Sequence, residues 1–145
     1  MELNTAYDIN TLYPDWNIEG QYTAVDYHRN GDPEKSQWVI SVEEEFKSFA
    51  ISQKNKWYEG QRGWGIHPSM AFLDVGYLNN GKNVQIARFQ EMSPHGQEIQ
   101  NIWHGYPADI KGKTNDIPIL AVLNIWRELG IIQKHHLSKI RRGVL

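Results

Sequence analysis

The chain is 145 residues long, 40% hydrophobic, 12% aromatic and 22% charged, the composition of a folded globule with room for one domain over residues 1–145. Its net charge is -2, so no overall field draws it to nucleic acid or acidic lipid, and no apolar run approaches the roughly 20 residues a bilayer span needs. The absence of cysteine excludes disulfides, thiolate metal sites and a cysteine nucleophile.

Charge is unevenly spread. Residues 1–107 hold 8 Lys+Arg against 14 Asp+Glu, a balance of −6, while residues 108–145 hold 7 against 3, a balance of +4. The segment Met1–Asp8 has neither a basic residue nor an apolar run, so the expectation is no export signal and a cytoplasmic location. Residues 1–20 read as irregular, punctuated by Pro14 and Gly20. Tyr22, Thr23, Val25 and Tyr27 predict a strand over 22–28, and Asn30-Gly31-Asp32-Pro33 predicts a turn into a return strand over 37–40.

Ser41-Val42-Glu43-Glu44 has the spacing of a capping box, and Val42, Phe46, Phe49 or Ala50, Gln53 and Trp57 continue it at helical intervals. Glu43, Glu44 and Glu45 fall in the first turn, where negative charge complements the helix dipole. Residues 57–68 are dense in glycine and predict a loop. Two alternating runs, 72–78 and 84–89, flank Asn79-Asn80-Gly81 and predict a hairpin, with a further short strand over 99–103. Asp116 is placed to cap a helix holding Pro118 in its first turn, with Ile119, Val122, Leu123 and Trp126 facing inward and Gly130 ending it. A last helix carries Leu137, Ile140 and Val144 on one stripe and His135, Ser138, Lys139 and Arg142 on the other. The expected fold class is α+β, a mostly antiparallel sheet with one mid-chain helix and a C-terminal helical hairpin packed on it. Its parts are an irregular N-terminus (1–20), a β/α body (21–107) and a basic helix pair (116–143).

Three turns carry histidine beside Gly or Pro, at His67, His95 and His104. One reading pairs His67 with His104 as general acid and base for metal-independent phosphodiester cleavage, because imidazole titrates near neutral pH. Arg62 or Arg88 would then stabilise developing negative charge, and Asp109 would orient His104. His67, His104 and Asp109 also make a formal metal-ligand set, but at none of the compact spacings that mark such sites, so no metal is assigned. Equally, Trp103 and Tyr106 suit a role closing the core, and each histidine suits a surface turn. No phosphate loop and no dinucleotide fingerprint in its strand-to-helix setting occurs, so no cofactor is expected.

The C-terminal segments 119–129 and 134–142 have the outline of a helix-turn-helix, and Lys134, His135, Lys139, Arg141 and Arg142 are placed to meet phosphates. Against this, the acidic body repels a duplex. The 17 aromatics, with Trp16, Trp57 and Trp64 in or beside loops, favour a protein-recognition surface centred on Trp64, Trp103 and Tyr106. The sequence thus points first to a non-catalytic binding protein whose partner is another protein, resembling immunity or antitoxin proteins in type alone. A small hydrolase comes second and a nucleic-acid binder third.

Overall fold

The short strands, tight turns and three well-patterned helices of the chain assemble as an α+β fold; the computed structural model describes residues 1–92 and 102–145. In chain order the elements are β1 (Ala6–Asp8), α1 (Ile9–Leu12), β2 (Gln21–Thr23), β3 (Gln37–Trp38), α2 (Val42–Lys54), β4 (Tyr58–Glu59), β5 (Arg62–Gly65), β6 (Gly76–Tyr77), β7 (Asn83–Val84), β8 (Ala87–Met92), β9 (Ile102–Pro107), α3 (Leu120–Glu128) and α4 (Lys134–Arg141). Single 3-10 turns lie at Pro14–Trp16, Asp26–His28 and Thr114–Asp116. Six strands form one sheet in the order β1-β2-β9-β8-β5-β4, and β3-β6-β7 form a second. Every pairing is antiparallel except that of β2 with β9. Among the described residues no helix is long and apolar enough to cross a membrane.

Side chains alternate across a strand, so register divides the large sheet into two faces. One face holds Tyr22, Phe89, Trp103 and Gly105, and α2 covers it with Phe46 and Phe49. The helix begins as expected: Ser41 Oγ accepts from the Glu44 amide, and the Glu44 carboxylate accepts from the Ser41 amide. Ser48 and Ser52 then donate to the carbonyls of Ile66 and Trp64, 2.7 Å each, stitching α2 to β5 and its exit. At Gly105 a Cβ would stand 2.7 Å from Phe89 Cε1 and 2.7 Å from the Tyr22 hydroxyl. Only glycine leaves room for those rings there.

The opposite face presents Arg62, Trp64, Arg88, Gln90, His104 and Tyr106. Its β5 side is covered by the C-terminal helices, where Val122, Leu123, Trp126, Ile132 and Ile140 pack with Trp57, Trp64 and Ile86. The small sheet docks on the end of β9. A Cβ on Gly76 would lie 2.7 Å from Pro107 Cβ and would collide with the Gln37 carbonyl, so β6 approaches as closely as a bare backbone allows.

Several sequence expectations are corrected by this topology. Residues 22–28 and 37–40 do not pair with each other: β2 lies between β1 and β9, β3 pairs with β6, and Asp26–His28 is a 3-10 turn. Residues 57–68 are not all loop, because β4 and β5 form a hairpin whose Gly63 and Gly65 are buried strand positions. The hairpin across Asn79–Gly81 is present, but only Gly76–Tyr77 and Asn83–Val84 pair in it, and the chain then crosses to the large sheet as β8. The strand expected over 99–103 runs over Ile102–Pro107 in the described residues. Asp116 is no helix cap, since α3 starts after Ile119 without a side-chain cap and Asp116 is buried against the sheet. Gly130 does end α3 in the left-handed conformation, at φ 76°. Val144, expected on the inner stripe, is exposed.

Candidate functional site

A cavity of about 300 Å³ opens on the polar face of the sheet, beside the end of β9. His104 and Tyr106 form its base, because residues two apart on a strand share a face. Tyr27 and His28 line it from the 3-10 turn, Lys35 and Ser36 from the chain entering β3, and Asp109 and Lys113 from the loop after β9. His28 is held from two sides. Its neighbour Arg29 donates from Nε and Nη2 to Glu45 Oε1 on α2, at 3.1 and 2.8 Å, and from Nη1 to the Ile40 carbonyl at 2.8 Å. The His28 ring stacks on Tyr106 with centroids 5.4 Å apart, and its Nδ1 lies 2.8 Å from the Ser36 carbonyl. A carbonyl only accepts, so Nδ1 carries the proton and Nε2 of the neutral ring is an acceptor.

Beneath the cavity, Asp116 joins the loop after β9 to the sheet. Tyr106 donates its hydroxyl to Asp116 Oδ1 at 2.7 Å, and the Asp109 amide donates to Oδ2 at 2.8 Å. Arg88, 2% exposed, stands 3.8 Å from Oδ1 and donates from Nε to the Asn115 carbonyl at 2.9 Å. The Trp64 indole donates to the Asp116 carbonyl at 3.0 Å. Burial pushes the Asp116 carboxyl up, against the pull of its two donors and of Arg88 and Lys113. Burial together with the Asp116 charge raises Tyr106, so its hydroxyl stays protonated and donating.

Both imidazoles are pushed toward the neutral form. Burial lowers His28 to about 4, helped by His104, Lys35 and Lys113 and opposed by the Ser36 carbonyl. Burial and the Arg88 charge lower His104, opposed by a hydrogen bond of the ring to the Gln90 backbone. His104 Nδ1 is buried and has no hydrogen-bond partner among the described residues. A buried ring nitrogen without a partner costs free energy unless a ligand or water satisfies it.

The residues singled out in the sequence divide as follows. His104, Tyr106 and Asp109 come together in the cavity, and Asp109 Oδ1 accepts from the Gly112 amide at 2.9 Å. His67 is elsewhere: its Nδ1 is 2.7 Å from Ser69 Oγ, and its Nε2 lies 3.5 Å from Glu44 at the start of α2. The histidine beside His104 is therefore His28, which reaches β9 because its turn follows β2, the strand paired with β9. Arg62 shares the polar face but lies outside the cavity and donates to Asn115 Oδ1 at 3.1 Å. Trp64 and Trp103 are 1% and 3% exposed on opposite faces, so neither ring stands on the surface. Trp57, expected beside a loop, is also fully buried, edge-on to Trp126. Lys134, His135, Lys139, Arg141 and Arg142 all stand exposed on and just after α4. His95 lies outside the described residues. Among the described residues no three His, Asp or Glu side chains are grouped to hold a metal.

Sequence reasoning missed His28, Lys35, Lys113 and the role of Asp116. The signal nearest to hand was the alternation of His104 and Tyr106 opposite Gln90 and Arg88, which marks a polar strand face beside a core. Compared with known proteins, the chain matches no family model, no curated protein and no solved structure.

Proposed function

We propose that the protein is a non-catalytic binding protein whose ligand is a small polar molecule seated between His28, His104 and Tyr106. The observation that carries this reading is the convergence of the His28 and His104 imidazoles and the Tyr106 ring on one cavity large enough for a small ligand. Reading the chain as a recognition surface for another protein drew on tryptophans in or beside loops, of which Trp57 and Trp64, with Trp103, are buried while Trp16 is half-buried, so that reading has less to stand on. A small-ligand pocket needs no such surface. Saturation-transfer NMR with small polar fragments tests the reading. Wild-type protein is expected to give hits that His104→Phe loses while keeping its thermal transition. Absence of hits, or hits indifferent to that substitution, overturns it.

A second reading, metal-independent hydrolysis, is favoured by two imidazoles lining one cavity. Acid–base cleavage needs one ring protonated while the other is neutral. With His28 held at about 4 and His104 also lowered, both rings are neutral at pH 7, and the binding reading fits better. The expected result with bis-p-nitrophenyl phosphate is no turnover above background. Turnover abolished by either His28→Ala or His104→Ala would reverse the order of the two readings.

A further inference from the structure

We infer that the cavity takes a phosphate group, free or as a monoester, clamped between Lys35 and Lys113 with its hydroxyl against the imidazoles of His28 and His104. This rests on the cavity being the functional site and adds the chemistry of its ligand.

Two lysines reach the cavity from separate segments, Lys35 ahead of β3 and Lys113 in the loop after β9. Each ammonium stands over a tyrosine ring of the same cavity, Lys35 5.6 Å from the Tyr27 centroid and Lys113 5.5 Å from that of Tyr106. Among the described residues neither lysine forms an ion pair with a carboxylate. Their charges converge on His28, whose imidazole both of them hold down from the usual range. Two ammoniums thus act on a ring held by the Ser36 carbonyl and by stacking on Tyr106.

The three acids of the cavity do not cancel it equally. Asp116 is engaged with Tyr106, Arg88 and the Asp109 amide, and Asp109 is engaged with the Gly112 amide. Glu34 alone has no side-chain partner among the described residues, and it is exposed at the rim. An anion in the cavity therefore meets two ammoniums outside any ion pair, with the Asp109 and Glu34 carboxylates of the same lining also outside any ion pair among the described residues.

The imidazoles narrow the class of anion. Nε2 of neutral His28 needs a donor, and lysines need acceptors. An ionised carboxylic acid offers acceptors only. Inorganic phosphate near neutral pH offers acceptor oxygens to both lysines and a P–O–H that donates to an imidazole, and a monoester, whose second proton leaves at about pH 6, offers the same P–O–H in its monoanion. Tyr27, half-buried in the same wall, gives an aromatic monoester a ring to lie against.

The test follows the imidazole resonances of His28 and His104 during titration with inorganic phosphate, phenyl phosphate, acetate, the neutral diol ethylene glycol and the cation ethylammonium. Both phosphates are expected to shift the two histidines, acetate to bind at least tenfold more weakly, and phenyl phosphate to bind more tightly than inorganic phosphate if the natural ligand is a monoester. Lys35→Ala and Lys113→Ala are each expected to weaken phosphate about tenfold, and Glu34→Gln to tighten it. Phosphate affinity unchanged in folded Lys35→Ala/Lys113→Ala protein overturns the inference. So does a response of the same two histidines to the neutral or cationic probe alone, which would leave the cavity as a ligand site of other chemistry. No response to any probe overturns both the inference and the cavity reading beneath it.

Discussion

The β8–β9 pair has two unlike faces made from alternate residues of the same two strands. One, with Phe89, Trp103 and Gly105, is closed by α2 through aromatic contacts such as Phe49 on Phe89, centroids 5.4 Å apart. The other, with Arg88, Gln90, His104 and Tyr106, is joined to its covering loop through charge and hydrogen bonds centred on Asp116. Burial on the first face is non-directional and tolerates no void, so a helix fits flush. Directional bonds on the second hold a loop at a fixed distance and leave space beside it. The polar face can carry a cavity because the apolar face supplies the stability.

The largest effect should come from cutting the hub of the polar face. Asp116→Ala leaves buried Arg88 without its counter-charge and strips the acceptor from Tyr106 and the Asp109 amide. The expected loss is about 3–5 kcal/mol in urea unfolding, and a wild-type midpoint would mean that the hub holds nothing. Gly105→Ala attacks the apolar face by pushing a methyl into Phe89 and the Tyr22 hydroxyl. About 1–3 kcal/mol should be lost, while the His28 and His104 resonances stay in place if the faces are independent.

Acid titration sharpens the contrast, since each region has a buried group shifted in the opposite sense. His28 titrates at about 4 in the fold and near 6.5 unfolded. As pH falls between those values the unfolded chain takes up a proton that the fold refuses, so stability drops by on the order of 2 kcal/mol after allowance for screening at the cavity mouth. Glu45, under α2, is pushed up to about 7 by burial, against the hydrogen bonds of Tyr22 and Arg29. Its contribution runs the other way, full below the unfolded value near 4.3 and lost as pH rises to about 7. The two slopes offset each other between about 4.5 and 6.5. His28→Gln should therefore leave a protein that weakens as pH rises through that window, and Glu45→Gln one that strengthens; parallel curves for the two variants would contradict the assignment. The smallest effect is expected from Ser41→Ala, about 1 kcal/mol by thermal unfolding, through loss of the cap on the Glu44 amide.

Local chemistry was legible where it is self-contained. The Ser41–Glu44 box, the Asn79–Gly81 turn and the Gly130 stop each depend on residues within a few positions of one another, and each forms. Counting glycines as punctuation concealed the β4–β5 hairpin, because Gly63 and Gly65 lie within a strand, under neighbouring side chains, instead of bending the chain. The site was half legible. His104 and Tyr106 declare themselves by alternation, but His28 is joined to them only through strand pairing across the sheet, which turn chemistry does not encode. Asp116 resembled a helix cap because its role depends on Arg88 and Tyr106, brought to it by the sheet.

The parallel pairing of β2 with β9 joins Gln21 to Ile102, about eighty residues downstream. Such a contact must overcome the entropy of closing a long loop before it brings any reward. During synthesis β2 can pair with β1 and meet α2 early, but its other edge has no partner until β9 follows. Because the cavity joins His28, just behind β2, to His104 and Tyr106 on β9, it is complete only once β9 is in place, and its appearance would report closure of the sheet at that edge.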